Sequence, residues 1–217
     1  MLKLLTAGAA AFSPMGALSS SRGLSRAAVS MASFHDFSAT AIDGSEVSMG
    51  DFKGKPVLIL NMNELAEKYG DKVAILGFPC NQFGHQTNEG NEEFLNTLKY
   101  VRPGNNFEVN PAITLFEKCD VNGANALPLF KYLKSEIMIP SGPKGDTKGN
   151  GCDDIDALIL PRGAFGGTTI ALWTPVARSD IAWNFEKFLV GPDGQPVKRF
   201  SRFFPTADIA SDIDELM

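Results

Sequence analysis

Apolar runs separated by an amphipathic pattern define the first half of the chain. Residues 55–61 (KPVLILN) and 73–79 (VAILGFP) are continuous apolar segments, which are typical of buried parallel strands. Between them, residues 62–70 predict a helix that Asn61 caps and Gly70 ends. This order of strand, helix and strand predicts a βαβ unit.

Two antiparallel hairpins are predicted around this unit. The first spans 37–49 and turns at Asp43-Gly44, a pair that tolerates positive φ. The second spans 184–201 and turns at 191–194. Strands that alternate with helices and close on an antiparallel hairpin predict a three-layer α/β domain with a mixed sheet, which is the layout of a thioredoxin-like fold.

Three further helices are predicted at 92–101, 127–136 and 208–217. In the first of these, Phe94, Leu95, Leu98 and Val101 are expected to form one apolar face. In the second, Pro128 falls in the first helical turn, where its missing N–H costs nothing.

Two segments do not fit the domain pattern. Residues 1–33 are rich in Ala, Ser and Gly and contain no acidic residue, which predicts an organellar leader for a plastid or mitochondrion. The alternative is a tail with no address, which would leave the protein cytoplasmic. The predicted domain is 34–217, and within it 139–174 is an irregular Gly/Pro/Asp-rich insertion that is either functional or disordered.

Composition excludes several classes of function. The net charge of −5 over 217 residues gives no indication of nucleic-acid binding, and no apolar run approaches the roughly 20 residues that span a bilayer. Three separated cysteines and two histidines favour neither a disulfide framework nor a metal site. We therefore expect no metal and no reliance on structural disulfides.

Four segments together resemble the glutathione peroxidase family: LGFPCNQFG (76–84), YVRPG (100–104), LFEKCDVNG (115–123) and RSDIAWNFEKFLVGPDGQPVKR (178–199). The resemblance covers residues 33–217 and is closest to the glutathione-using branch, which usually carries selenocysteine. It implies the reduction of hydrogen peroxide and organic hydroperoxides in the response to oxidative stress. It also implies glutathione as the reducing co-substrate and no bound cofactor.

Such a reaction needs a thiolate or selenolate that attacks one peroxide oxygen, and hydrogen-bond donors for the oxygen that leaves. Gln82, Trp183 and Asn184 match the donors that the family places around its nucleophile. Each residue also has a structural interpretation. Gln82 would satisfy backbone groups in a loop, Trp183 would pack in the core, and Asn184 would cap a turn.

The nucleophile itself is absent from this chain. In the family it lies at the start of the helix after the first buried strand, but here Asn61 is followed at once by Met62. Selenocysteine is encoded by a codon that is normally read as stop. One hypothesis is that the gene model assigns this codon to an intron, so that the selenocysteine is missing from the translated sequence. The rival hypothesis is a true deletion, which would leave a thioredoxin-fold binding protein without catalysis. Under either hypothesis the chain itself is expected to be inactive.

The cysteines provide one further alternative, a weak thiol peroxidase that uses Cys80. We expect Cys119 to lie in a strand and in the core, and Cys152 to be exposed. Residues 102–116 contain no cysteine that could resolve an oxidised nucleophile, which favours glutathione over thioredoxin as the reductant.

Glutathione is an anion at neutral pH, so basic side chains at the rim of the site would hold its carboxylates. Arg102, Arg178, Lys198 and Arg199 lie in the matching segments and are the predicted glutathione contacts. Solvated surface charge is the alternative interpretation of each. A segment before residue 173 resembles the one that tetrameric members carry, which leaves a homotetramer open.

Overall fold

The computed structural model describes residues 32–59, 63–142 and 172–217. Its strands are β1 (Ser38–Thr40), β2 (Glu46–Ser48), β3 (Val57–Ile59), β4 (Ala74–Gly77), β5 (Ile113–Leu115), β6 (Lys187–Val190) and β7 (Pro196–Phe200). Its α-helices are α1 (Asn63–Tyr69), α2 (Asn91–Tyr100), α3 (Pro128–Glu136) and α4 (Ala210–Asp214).

The central sheet has five strands in the order β5-β4-β3-β6-β7. Strands β3, β4 and β5 are parallel, whereas β6 and β7 run antiparallel to their neighbours. The mixed sheet confirms the predicted thioredoxin-like fold, and the predicted βαβ unit is β3-α1-β4. Helix α1 ends at Tyr69, and Gly70 follows with a φ of +56°, as the sequence indicated.

Both predicted hairpins are present. Strands β1 and β2 form a separate two-stranded sheet, and Gly44 supplies the positive φ of +86° at its turn. Strands β6 and β7 form the second hairpin, in which Gly191 N donates to the Gln195 carbonyl oxygen. The first hairpin adds no strand to the central sheet.

Alternating side chains of the central strands separate the core into two layers. Val57 and Ile59 of β3 pack in one cluster with α3 residues such as Leu129. Leu58 packs on the opposite face with Leu65 of α1, in a cluster that includes residues of α2 and α4. The sheet is therefore covered by helices on both faces, which is why its central strands are apolar throughout.

One detail of the predicted α2 face is wrong. Phe94 is buried, but Leu95 is 47% exposed and Val101 is 74% exposed. Leu95 lies about 100° around the helix from Phe94, so a narrow stripe of Phe94 and Leu98 is sufficient for packing. Val101 lies beyond the last helical residue, Tyr100, and so does not belong to the helical face.

Three predictions concern residues outside those that the structure describes. They are the organellar leader over 1–31, the Asn61–Met62 junction with its capping residue, and most of the insertion, over 143–171. Among the described residues, none of the helices has the length and apolar character needed to cross a bilayer.

Candidate active site

The strand register brings three chain segments to one edge of the sheet. Ile59, the last residue of β3, pairs with Leu76 near the end of β4 and with Phe188 near the start of β6. The loop after β4 (78–90) therefore begins at the edge where β3 ends, and the loop before β6 (177–186) ends at the same edge. Carboxyl ends of parallel strands are where α/β folds commonly place their sites.

Gln82 is buried in the loop after β4, and its amide is bonded to backbone on another loop. Its Oε1 accepts from Val121 N (3.0 Å) and Asn122 N (2.9 Å), while its Nε2 donates to the Asn122 carbonyl oxygen (3.0 Å). Because backbone N–H groups only donate, these contacts fix which end of the amide is oxygen. Because both Oε1 and one N–H of Nε2 have backbone partners, the direction of the second N–H of Nε2 is also fixed.

Trp183 and Asn184 lie on the loop before β6, and both contact the Gln82 loop. The Trp183 and Phe83 ring centroids are 5.9 Å apart, and Asn184 Nδ2 donates to Gln86 Oε1 at 2.9 Å. A Cβ on Gly84, whose φ is +69°, would lie 3.2 Å from Trp183 Cη2. Glycine therefore permits the close approach of the two loops. The structure brings the loops of all three predicted catalytic residues together.

A buried ion pair shapes the loop that carries Trp183 and Asn184. Arg199 Nη2 lies 2.7 Å from Glu186 Oε2, and Glu186 Oε1 accepts from Ala182 N at 2.6 Å. These contacts close a turn in which Phe185 has a φ of +69°, a conformation that costs about 1–2 kcal/mol for residues other than glycine. The pair therefore stabilises an otherwise unfavourable turn.

The predicted glutathione contacts are in four different surroundings. Arg178 is exposed on the loop before β6, close in sequence to the site. Arg102 is also exposed, but it follows α2, which returns from the end of β4 toward the start of β5. A helix that connects parallel strands ends at the opposite edge of the sheet from where it starts, so Arg102 lies toward the edge away from the site.

Lys198 and Arg199 are engaged within the protein. Lys198 Nζ bonds Asp212 Oδ1 at 2.6 Å, and Arg199 is 1% exposed. The Arg199 guanidinium also donates to the carbonyl oxygens of Met138, Ser179 and Asp180. The prediction that Arg199 lies on an exposed rim is therefore wrong, because Arg199 pairs with Phe188 across β7 and β6 and its guanidinium lies over the Phe188 ring and beside Glu186. Contact of the other residues with glutathione stays a prediction.

Burial changes the chemistry of the two described cysteines. Cys80 is buried, and loss of hydration raises the pKa of its thiol to about 11. Burial also raises the pKa of Cys119, which lies beyond the end of β5 and packs against the core. The predicted strand position of Cys119 is therefore wrong, although its contact with the core is confirmed. Cys152 lies outside the described residues.

Three residues that the sequence analysis missed support or border the site. Asn122 joins the Gln82 loop to Ile181, through Asn122 Nδ2 and the Ile181 carbonyl oxygen at 2.8 Å. Lys134 pairs with Asp180 at 2.9 Å, both buried. Arg202 lies over the Trp183 ring at 5.9 Å. The available signals were the position of Asn122 inside a matching segment and that of Arg202 just after the predicted hairpin.

An open cavity of about 480 Å³ borders Gln82 and is lined by the 120–125 and 172–174 segments. In the part of the chain that the structure describes, no group of three His, Cys, Asp or Glu side chains is arranged to hold a metal ion.

Comparison with known proteins identifies relatives of this chain. A family model described as glutathione peroxidase matches residues 34–134. Glutathione peroxidase 1 of Macaca fuscata fuscata is 47% identical over 207 residues, covering 88% of this chain and 94% of that protein. Human glutathione peroxidase 2 is 44% identical over 199 residues, covering 85% of this chain and 95% of that protein.

Solved structures agree with the sequence matches. The crystal structure of T. cruzi GPX1 is 26% identical to this chain, with a TM-score of 0.52, and covers 85% of this chain and 96% of that one. The crystal structure titled "Trgpx in apo form" is 27% identical with a TM-score of 0.50, and covers 86% of this chain and 96% of that one.

Proposed function

Because this chain belongs to the glutathione peroxidase family, whose members are peroxidases, we propose that the active form of this protein reduces hydrogen peroxide and organic hydroperoxides with glutathione. A nucleophile that follows β3 would carry the reaction. The observation that supports this proposal is the contact between the Gln82 loop and the Trp183–Asn184 loop at the edge where β3 ends.

The side chains at this edge suit the chemistry. A selenolate or thiolate attacks the peroxide, so that the O–O bond breaks, the leaving oxygen takes up a proton and departs as an alcohol or water, and a selenenic or sulfenic acid remains. One glutathione displaces water to form a mixed adduct, and a second regenerates the nucleophile and releases glutathione disulfide. Gln82, Trp183 and Asn184 would donate N–H groups to the ionised nucleophile and to the leaving oxygen.

We propose that the nucleophile is a selenocysteine missing between Asn61 and Met62. The alignment with the macaque relative is compatible with such a gap, because it extends over 207 positions whereas 88% of this 217-residue chain is about 191 residues, so this chain lacks a residue at some of the aligned positions. The raised pKa of Cys80 disfavours the alternative of a Cys80 peroxidase, since a protonated thiol is a poor nucleophile. The remaining alternative is a catalytically inactive binding protein.

Arg178 and Arg202 are the cations that we propose for the carboxylates of glutathione. Arg178 is exposed on the loop of Trp183 and Asn184, and the Arg202 guanidinium lies over the Trp183 ring at 5.9 Å. Replacing Arg178 by Ala in the active protein would raise the KM for glutathione several-fold and leave the reaction of the nucleophile with peroxide unchanged. Stopped-flow kinetics separates these two steps.

We also propose that residues 1–33 address the protein to a plastid or mitochondrion, on the composition of that segment alone. A fluorescent protein fused behind these residues would move to the organelle, whereas cytoplasmic fluorescence would contradict the proposal. Whether the protein forms a homotetramer is tested separately, by measuring the molar mass of the purified protein with light scattering.

The decisive experiment is to sequence the transcript across the codons for Leu58 to Leu65. An in-frame UGA codon would establish a selenoperoxidase, and a cysteine codon would establish a thiol peroxidase of the same family. A transcript that joins Asn61 directly to Met62 would contradict the missing selenocysteine and favour the binding protein.

The chain with the present sequence also gives a direct test. We expect it to show no glutathione-dependent peroxide reduction above background, because removing a covalent nucleophile leaves only binding and polarisation. Reduction at rates typical of enzymes would contradict the proposal. A C80S variant then shows whether Cys80 is responsible.

A further inference from the structure

Asn122 joins the two loops of the candidate site through a pair of amide contacts. It is 1% exposed and lies in the loop between β5 and α3. Its backbone N–H and carbonyl are both bonded by the Gln82 side chain, at 2.9 and 3.0 Å. Its own side chain bonds both backbone groups of Ile181, from Ile181 N to Oδ1 at 2.9 Å and from Nδ2 to the Ile181 carbonyl at 2.8 Å.

The orientation of the Asn122 amide is determined by its partners. Oδ1 also accepts from Lys134 Nζ at 3.0 Å, and an ammonium and a backbone N–H are both donors only. The oxygen must therefore face Lys134 and Ile181 N, and the Nδ2 group must face the Ile181 carbonyl. Lys134 in turn pairs with Asp180 at 2.9 Å, one residue before Ile181.

We infer that Asn122 is a positioning residue for the peroxidase site: it sets the placement of Gln82 relative to Trp183 and Asn184. This inference rests on the proposed function. Gln82 is bonded to Asn122 directly, and Ile181 precedes Trp183 by two residues. A shift of Asn122 therefore moves the donors of both loops, although the side chain of Asn122 is itself bonded to Ile181 and Lys134.

The chemistry of the position accounts for the residue type. Two contacts of Asn122 need an acceptor and one needs a donor, all within a buried space. Aspartate would keep the acceptors but place a carboxylate oxygen against the Ile181 carbonyl oxygen. Alanine would leave both backbone groups of Ile181 and the Lys134 ammonium without this partner, which is costly for buried groups.

The test uses the chain with the present sequence and requires no peroxidase activity. Failure of this inference is therefore distinguishable from failure of the proposed function. N122D and N122A are compared with N125A, which changes an exposed asparagine in the same loop. The readouts are amide hydrogen exchange at Ile181 and the ¹H–¹⁵N resonances of the Trp183 indole and the Gln82 side-chain amide. Amides of β3 and β4 report global stability.

We expect N122D to accelerate exchange at Ile181 by about tenfold or more and to shift the Trp183 and Gln82 side-chain resonances. Exchange at β3 and β4 should change much less, and N125A should resemble the wild type. Should N122A fail to fold, N122D carries the test. Unchanged Ile181 exchange and resonances in N122D would overturn the inference. Faster exchange throughout the sheet, or failure of N122D to fold, would also overturn it and make Asn122 a general stability element.

Discussion

Cys80 and Gln82 lie two residues apart in one loop, and burial has opposite consequences for their chemistry. The Cys80 thiol donates to Gln82 Oε1 at 3.6 Å and loses the hydration that a thiolate needs. Gln82 is neutral, so burial with matched backbone partners costs it little and fixes its direction. Of the two, only Gln82 has the character of a residue that supports the chemistry of another group.

The first prediction concerns the reactivity of Cys80. Burial raises the pKa of Cys80 from 9.0 to about 11, so its thiolate fraction at pH 7.5 is about 100-fold smaller than that of a cysteine with the unshifted pKa. In a C119S/C152S variant, alkylation of Cys80 by iodoacetamide should therefore be slower than alkylation of an unshifted cysteine, by about the same factor as the thiolate fraction. The rate should increase about tenfold per pH unit up to pH 9.5. The same variant unfolded in urea is the control. Alkylation in the folded state at the rate of the unfolded control would contradict the assignment of a buried thiol.

At the scale of elements, charged side chains connect β6 and the loop before it to β7 and to the turn that follows β7. Arg199 connects β7 to Glu186 and Ser179 in the loop before β6 and to the Met138 carbonyl oxygen after α3, while Lys187 Nζ donates to the Phe204 carbonyl oxygen at 2.7 Å. These contacts are local in space but distant in sequence. They hold the Trp183–Asn184 loop at the end of the sheet.

The second prediction separates the roles of Arg199 and Arg178. R199A removes the cation that pairs with the buried Glu186 carboxylate at 2.7 Å and should reduce the free energy of unfolding by about 3–5 kcal/mol. R178A, at an exposed position, should change it by less than about 0.5 kcal/mol. Urea denaturation measures both. Equal effects of the two substitutions would show that Arg199 does not stabilise the loop through Glu186.

The third prediction is a pH dependence caused by Lys187. The side chain is 2% exposed, and burial lowers its pKa to about 8 although Glu186 partly opposes this. Between pH 8 and 10 the unfolded chain binds a proton at this lysine that the folded chain does not. The contribution of Lys187 to the free energy of unfolding therefore rises with pH across this window, by about 1–3 kcal/mol.

The K187M variant isolates this effect from other titrating groups. The difference in unfolding free energy between wild type and K187M should become more favourable to wild type from pH 8 to pH 10. Below pH 8 the difference should be constant, because both folded and unfolded states then bind the proton. A difference that stays constant up to pH 10 would mean that the lysine has an ordinary pKa in the folded protein.

At the scale of the whole molecule, two core layers cover the central sheet on both faces. Their members come from every strand of that sheet and from helices on both sides. The short connection from β3 to β4 therefore interrupts neither layer among the described residues. The proposed loss of the nucleophile therefore does not require loss of the fold.

The fourth prediction follows from these layers. The chain with the present sequence should unfold in one cooperative transition, with circular dichroism at 222 nm and tryptophan fluorescence giving the same midpoint in urea. This result, together with absent peroxidase activity, would assign the inactivity to the nucleophile. Lack of a cooperative transition would contradict the prediction and assign the inactivity to misfolding.

The sequence by itself determined the order of elements, the two hairpins and the βαβ unit, because hydrophobic periodicity and turn residues act locally. It also indicated Gln82, Trp183 and Asn184, through the segments that resemble the family. The structure confirms the predicted elements, whose formation depends on neighbours in the chain, whereas the catalytic roles of these three residues stay predictions that rest on the matching segments.

Tertiary structure alone decided which polar side chains face inward. Arg199 and Arg178 are both arginines in one matching segment, yet only Arg199 is buried, because the pairing of β6 with β7 places it beside Glu186. The linking role of Asn122 likewise depends on three loops that meet only in the folded chain. Burial and long-range pairing set the pKa of Cys80 and Lys187, and no local pattern contains that information.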